Sequence, residues 1–155
     1  MNIWIGQARR SVSAEVPAPP EQVRAFYVDL DHISQVHPLV QWVRSTSRME
    51  LADGYRQDYQ VRDRIPLGPF ALPITYRARL IVPAAGAVTA QARQFPQVRL
   101  GSRVDFAATE TGTRITEDLT IAAPRPLLAI TVGQAVAAHT TMLAAIGTHF
   151  SREQT

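Results

Sequence analysis

Three ionisable residues, Asp63, Glu117 and His139, stand among apolar neighbours, where they could transfer protons or recognise a polar group. In one segment of alternating apolar and polar residues, Asp63 falls on the same side as Tyr59. In a later segment of this kind, Glu117 falls on the apolar side. A buried carboxylate without a partner costs on the order of several kcal/mol. Each carboxylate should therefore be protonated, paired, hydrated or in contact with a ligand.

Each of these residues also has a purely structural explanation. Asp63 can lie at the end of its strand in contact with water, and Glu117 can pair with Arg44 or Arg103. His139 lies on the apolar stripe of a predicted helix, which fits a hydrogen-bonded core histidine as well as a ligand contact. These alternatives stay open on the sequence alone.

Motifs for metal, phosphate or nucleophile chemistry are lacking. The chain has no cysteine, and only His32 and His37 are closely spaced histidines, with Pro38 ending their helix. His37 fits a loop-capping role as well as a functional one. The stretch "PLGPFALP" has too few glycines for a phosphate loop and is interpreted as a connecting loop. We expect no metal and no cofactor, and we assign no catalytic residue.

Composition predicts one globular domain over residues 1–155, with 46% hydrophobic and 19% charged residues. The net charge is +3, and all 16 basic residues are arginines, interleaved with 13 acidic residues. That mixture is typical of an ion-paired sheet face, so we expect no nucleic-acid partner. The first positive charges follow an apolar stretch, the reverse of a signal peptide, and we expect a cytoplasmic protein.

The N-terminal region predicts a strand followed by two short helices. Residues 9–17 alternate between apolar and polar, and Pro17 and Pro19 prevent the strand from continuing. Pro20 suits the first helical position, and apolar residues then recur at helical spacing. Asp31 is the expected N-cap of a second helix, which must end by His37.

The middle of the chain predicts six further strands. Alternating segments are separated by turn signals such as Asp53-Gly54, Ala85-Gly86 and Thr111-Gly112. Successive strands with one polar face indicate a curved antiparallel meander. The predicted strands cover residues 39–49, 55–65, 74–82, 86–95, 98–107 and 113–121.

The last segment, from Pro124 to Arg152, predicts one long helix. It has no acidic residue or arginine from Pro126 to Ser151, so a membrane anchor is an alternative. Polar residues on one side of the helix, such as Gln134, and an apolar stripe on the other favour a helix that packs on a sheet. We therefore expect no integral membrane segment.

This order of elements resembles the START-like (SRPBCC, helix-grip) superfamily, and within it the polyketide cyclase/dehydrase and lipid-transport branch. The segments that carry the resemblance are "VPAPPEQVRAFYVDLDHISQVHPLV", "GTRITEDLTIAAP" and "AVAAHTTMLAAI". The resemblance implies an α+β fold in which a curved, seven-stranded antiparallel sheet wraps around a long C-terminal helix. Two short helices lie between strands 1 and 2 and close one end of a cavity.

The resemblance also implies a small hydrophobic or amphipathic ligand, of lipid, polyketide or isoprenoid type, in that cavity. A cyclase, aromatase or dehydrase that uses acid–base side chains is the alternative, and a partner-binding module is a third class. We expect a monomer. The candidate ligand-binding residues are Trp42, Tyr59, Asp63, Tyr76, Phe106, Glu117 and His139.

Overall fold

The computed structural model describes residues 3–155, which form one seven-stranded antiparallel sheet and three helices. This confirms the predicted fold class and element order. The elements are β1 (Ile5–Val16), α1 (Pro20–Val28), α2 (Leu30–Val36), β2 (Val40–Glu50), β3 (Tyr55–Leu67), β4 (Phe70–Val82), β5 (Val88–Gln94), β6 (Val98–Ala108), β7 (Thr113–Pro124) and α3 (Arg125–Arg152).

The sheet has the strand order β1-β7-β6-β5-β4-β3-β2. Strands β2 to β7 therefore form a meander, and β1 closes it by pairing with β7, where Val12 lies opposite Glu117. Glu117 in turn lies opposite Val104 of β6. These three residues share the face of the sheet that packs against α3, which we call the inner face.

The two short helices form where the sequence predicts them. Pro19 occupies the N-cap position of α1 with extended dihedral angles, and Pro20 is its first residue. The second helix is capped by Asp29, whose side chain accepts a hydrogen bond from the Asp31 amide at 3.0 Å. The prediction that Asp31 is the cap is therefore wrong, because the helix begins at Leu30, two residues earlier than a cap at Asp31 would place it.

Helix α3 packs along β1 and β7. Its buried side chains are Val132, Ala138, Met142, Leu143, Ile146 and Phe150. By length and composition this helix could cross a membrane, with a mean hydropathy of 1.4 in its most apolar window. Of that window, 22% is buried inside the structure, and the buried side chains belong to the protein core.

The hairpin of β3 and β4 is longer than the sequence predicts. The stretch from Pro66 to Pro73, which we interpreted as a loop, continues both strands until Leu67 pairs with Phe70. Gly68 makes this two-residue connection possible, because its φ of 58° is readily adopted only without a Cβ.

The core has two main parts that meet at Phe106. One part joins α1, α2 and α3 to β1 and β7, with Ile115 and Leu143 fully buried. The other lies on the inner face of β3, β4 and β5, around Val61 and Leu80. Phe106 packs against both parts.

Candidate functional site

Glu117 is the centre of a polar cluster inside the protein. It lies in the middle of β7, on the inner face, between the buried residues Ile115 and Leu119, and its side chain is 0% exposed. The Tyr27 hydroxyl of α1 donates a hydrogen bond to Glu117 Oε2 at 3.2 Å. Burial, the Glu117 charge and this hydrogen bond raise the pKa of Tyr27 well above its usual range, so the phenol keeps its proton.

His139 of α3 contacts the other carboxylate oxygen. Its Nδ1 atom faces Glu117 Oε1, so the helix and the sheet are joined through two ionisable side chains. The His139 side chain is only 13% exposed. A carboxylate that orients an imidazole is an arrangement found both in structural cores and in acid–base sites.

Neither arginine considered as a partner of Glu117 reaches it. Arg44 lies over the ring of Trp42, 4.6 Å from its centroid, and Arg103 contacts Asp105 at 3.5 Å. Both arginines alternate with the inner-face residues of their strands. Their side chains therefore project from the outer face of the sheet. The Glu117 carboxylate is thus balanced by a tyrosine and a histidine.

His37 extends the cluster from the end of α2. Its ring meets that of His139 edge to face, with centroids 5.4 Å apart. The Leu39 amide donates a hydrogen bond to His37 Nδ1 at 3.2 Å, so the residue does cap the loop before β2. Burial, and then the neighbouring His139 charge, lower the pKa of His37 to about 3. His37 is therefore neutral at physiological pH.

Asp63 and Tyr76 form a second polar pair on neighbouring strands. Asp63 is 4% exposed, so the expectation of a solvated strand end is wrong: β3 continues past it to Leu67. The Tyr76 hydroxyl donates to Asp63 Oδ2 at 3.1 Å, whereas Oδ1 is buried without a hydrogen-bond partner among residues 3–155.

Burial raises the pKa of Asp63 to about 6, against the opposing effects of the Tyr76 hydrogen bond and the His139 charge. This carboxyl group therefore titrates close to neutrality. The pKa of Tyr76 is raised well above its usual range by burial and by the Asp63 carboxylate. His139 thus contacts Glu117 and also acts electrostatically on Asp63.

Tyr59 and Phe106 add aromatic surface around these groups. Tyr59 is buried on the inner face of β3, and burial raises its pKa to about 12. The Phe106 ring meets the Tyr27 ring at a steep angle, with centroids 5.7 Å apart. Of the seven predicted ligand-binding residues, Tyr59, Asp63 and Glu117 are therefore buried, and Tyr76, Phe106 and His139 are partly buried.

Trp42 does not join them. A register shift between Val40 and Trp42 interrupts the alternation of β2, so Trp42 pairs with Arg62 while Val43 pairs with the buried Val61. Trp42 therefore lies on the outer face of the sheet. A β-bulge of this kind reverses the side on which all following residues point.

Sequence reasoning missed Tyr27 as a polar member of the site. The apolar spacing of α1 accounts for the burial of its ring, but its hydroxyl reaches a residue 90 positions away. A buried tyrosine hydroxyl usually has a hydrogen-bond partner, so an inward-facing carboxylate in the same chain was the signal that could have identified Tyr27. His32 and His37 diverge: His32 stacks on Phe26, and His37 faces His139.

No group of three or more potential ligands among residues 3–155 is arranged to hold a metal ion. The groups that are present can accept and donate hydrogen bonds within an apolar interior. The Asp63 carboxyl group can also exchange a proton near neutral pH. Recognition of a polar group on an apolar molecule, or proton transfer to it, is the chemistry that this arrangement supports.

The fold and its interior define a START-like (SRPBCC) protein with the helix-grip architecture. Residues 7–147 match the model of the family described as polyketide cyclase / dehydrase and lipid transport, and the chain belongs to that family. No curated protein matches the chain.

Several solved structures share the fold over nearly the whole chain. The protein TTHA0849 from Thermus thermophilus has a TM-score of 0.73 at 15% identity, covering 97% of this chain and 100% of that one. The Zhui aromatase/cyclase from Streptomyces sp. R1128 has a TM-score of 0.73 at 14% identity, with coverages of 97% and 96%. For Ara h 8.0201 the TM-score is 0.67 at 14% identity, with coverages of 95% and 99%. At these identities the likeness is one of fold.

Proposed function

We propose that the protein binds a small hydrophobic or amphipathic molecule, of lipid, polyketide or isoprenoid type, between the inner face of the sheet and α3. The observation that carries this proposal is the unpartnered Oδ1 atom of Asp63, buried beside the Tyr76 hydroxyl in an interior that is otherwise largely apolar. Buried polar atoms are nearly always hydrogen-bonded. A hydroxyl or carbonyl group of a ligand would complete this pair.

The neighbouring side chains fit the remainder of such a ligand. Tyr59 and Phe106 offer aromatic surface, and Glu117 with His139 offers a second polar anchor on the opposite element. Ligand sites commonly combine apolar walls with a few convergent polar groups. Membership of a family that includes lipid transport agrees with this assignment.

A cyclase, aromatase or dehydrase without metal or nucleotide cofactor is the second candidate. The observation that favours it is the Asp63 pKa of about 6, because a group that titrates near neutrality can both take up and release a proton. In that case Asp63 would transfer the proton, and Tyr76 would hold the substrate oxygen. The fold shared with the Zhui aromatase/cyclase is compatible with this candidate.

Fluorescence titration with Nile red, a neutral apolar dye, tests the binding proposal. We expect saturable binding to the folded protein and displacement of the dye by a long-chain fatty alcohol. The variant Asp63→Ala should still bind the dye but should require about tenfold more alcohol for displacement, the contribution of one buried hydrogen bond. Thr75→Val, on the outer face next to Tyr76, is the matched control and should behave as the wild type. Absence of saturable binding by the folded wild type would overturn the proposal.

A further inference from the structure

The charges of this protein are divided unevenly between the two ends of the sheet. Four segments meet at one end, which we call the basic end: residues 3–8, 62–77, 93–99 and 124–130. Together they hold six of the 16 arginines but, of the 13 acidic residues, only the buried Asp63. The arginines of the basic end are Arg62, Arg64, Arg77, Arg93, Arg99 and Arg125.

Strand pairing places these segments together. Ile5 pairs with Pro124, which joins the start of β1 to the start of α3, and Arg99 pairs with Ala122 of β7. The tip of the β3–β4 hairpin emerges at the same end of the antiparallel sheet. There it reaches α3, where the Gln134 side chain donates a hydrogen bond to the Pro66 carbonyl at 2.8 Å.

Within residues 3–155, the arginines of the basic end form no ion pair with a carboxylate. Arg77 lies directly opposite Arg93, and Arg93 lies directly opposite Arg99, so three like charges adjoin on neighbouring strands. Such pairs destabilise a sheet. The ion pairs that arginines form within residues 3–155 all lie outside the basic end, at Arg48, Arg79, Arg103 and Arg114.

Large apolar side chains are exposed at the same end. Phe70 at the tip of the β3–β4 hairpin is 76% exposed, and Phe95 in the β5–β6 turn is 84% exposed. Ile3, before β1, is 74% exposed, and Ile130 in the first turns of α3 is half exposed. Each of these residues stands on a different segment.

A depression of about 970 Å³ brings the two kinds of side chain together. Its lining includes Ile3 and Phe95 as well as Arg93, Arg99 and Arg125. Apolar side chains at separate tips, surrounded by cationic groups, match the interface of a lipid bilayer, where apolar groups enter the headgroup region and arginines contact phosphates.

We propose that the basic end docks on the surface of an anionic lipid bilayer. Phe70 and Phe95 enter the interface, and the row of Arg77, Arg93 and Arg99 provides electrostatic attraction to lipid phosphates. A bilayer fits better than an acidic protein because the exposed apolar residues project from several tips and do not form one flat patch. The proposal does not depend on what the interior binds.

Co-sedimentation with vesicles tests this proposal. We expect the wild-type protein to bind vesicles of phosphatidylcholine mixed with phosphatidylglycerol, to bind pure phosphatidylcholine vesicles much less, and to dissociate as salt is raised. The double variant Arg93→Gln/Arg99→Gln should lower the partition constant by roughly fivefold for each arginine. Phe70→Ser/Phe95→Ser should lower it as well, at low and at high salt.

The matched control is Met49→Ser/Arg103→Gln, which removes an exposed apolar residue and an arginine from outside the basic end. It should bind anionic vesicles as the wild type does, and circular dichroism should show that all variants are folded. Two results would overturn the proposal. The first is an absence of binding to anionic vesicles. The second is vesicle binding that is unchanged in the phenylalanine variant and that polyglutamate inhibits as well as anionic vesicles do; this result would assign the basic end to an acidic protein.

Discussion

The carboxylate of Glu117 in β7 faces the imidazole of His139 in α3 inside the protein, and no arginine within residues 3–155 forms an ion pair with it. A fully buried carboxylate is tolerated here because a histidine and the Tyr27 hydroxyl share its two oxygens. The contact also joins the helix to the sheet through two ionisable side chains.

Asp63 should make the protein less stable as pH rises. Its carboxyl pKa is raised to about 6 in the folded state from 3.8, so the folded protein holds the proton more tightly than the unfolded chain. Stability should therefore fall between about pH 4 and pH 6 and stay lower above that range. Asp63→Asn should remove this loss and stabilise the protein at pH 7.5 by up to about 3 kcal/mol. Urea unfolding at pH 4 and pH 7.5 measures the difference; equal effects at both pH values would contradict it.

The Tyr76 hydroxyl should hold the pKa of Asp63 below the value that burial alone would give. Tyr76→Phe removes this donor, so the midpoint of the Asp63 titration should move above pH 6. Carboxyl-carbon NMR titration of the variant and the wild type measures the shift. Tyr59→Phe is the control. Tyr59 is a buried tyrosine of β3, the strand that also holds Asp63, and its variant should leave the midpoint of the Asp63 titration unchanged.

His37 should make the protein sensitive to acid. Its pKa is lowered to about 3 in the fold from 6.5, so between these values only the unfolded chain takes up the proton, and stability falls as pH falls from 6.5 towards 3. His37→Asn keeps an acceptor for the Leu39 amide but cannot be charged. The wild type should lose about 2 to 3 kcal/mol more than this variant between pH 7 and pH 4.5. Parallel losses in urea unfolding at the two pH values would refute this.

Two turn glycines should respond differently to alanine. Both Gly54 and Gly86 have positive φ, at 86° and 92°, so alanine is strained at either position by about 1 kcal/mol. A Cβ at Gly54 would also lie 2.0 Å from the Val82 carbonyl oxygen, whereas Gly86 has open space around it. Thermal unfolding should show a clearly larger loss for Gly54→Ala than for Gly86→Ala. A similar loss for the two variants would contradict the packing at Gly54.

The fold could be predicted because its signals are local. Prolines at positions 17, 19 and 20 end the first strand and start α1, and the alternation in β3 and β7 places Asp63 and Glu117 inward by parity alone. Parity fails where the register shifts, which is why Trp42 lies on the outer face. The length of the β3–β4 hairpin depended on Gly68 and on pairing that no periodicity shows.

The partners of the buried carboxylates could not be predicted. Tyr27 and His139 reach Glu117 from elements distant in sequence, and only the packing of α1 and α3 on the sheet brings them together. The row of Arg77, Arg93 and Arg99 likewise could not be predicted, because it depends on the register in which β4, β5 and β6 pair. Single-sequence reasoning recognises which residues are unusual more readily than which residues they meet.

Native mass spectrometry of the protein purified from its own host, followed by extraction and chemical identification of any bound molecule, tests the binding function directly. We predict one small apolar molecule per chain, unchanged after incubation with the purified protein and lost from Asp63→Ala more readily than from the Thr75→Val control. A bound molecule that the purified protein converts to a different product on incubation would favour the cyclase or dehydrase candidate. A mass equal to that of the polypeptide alone, in gentle conditions and from several preparations, would contradict the binding function.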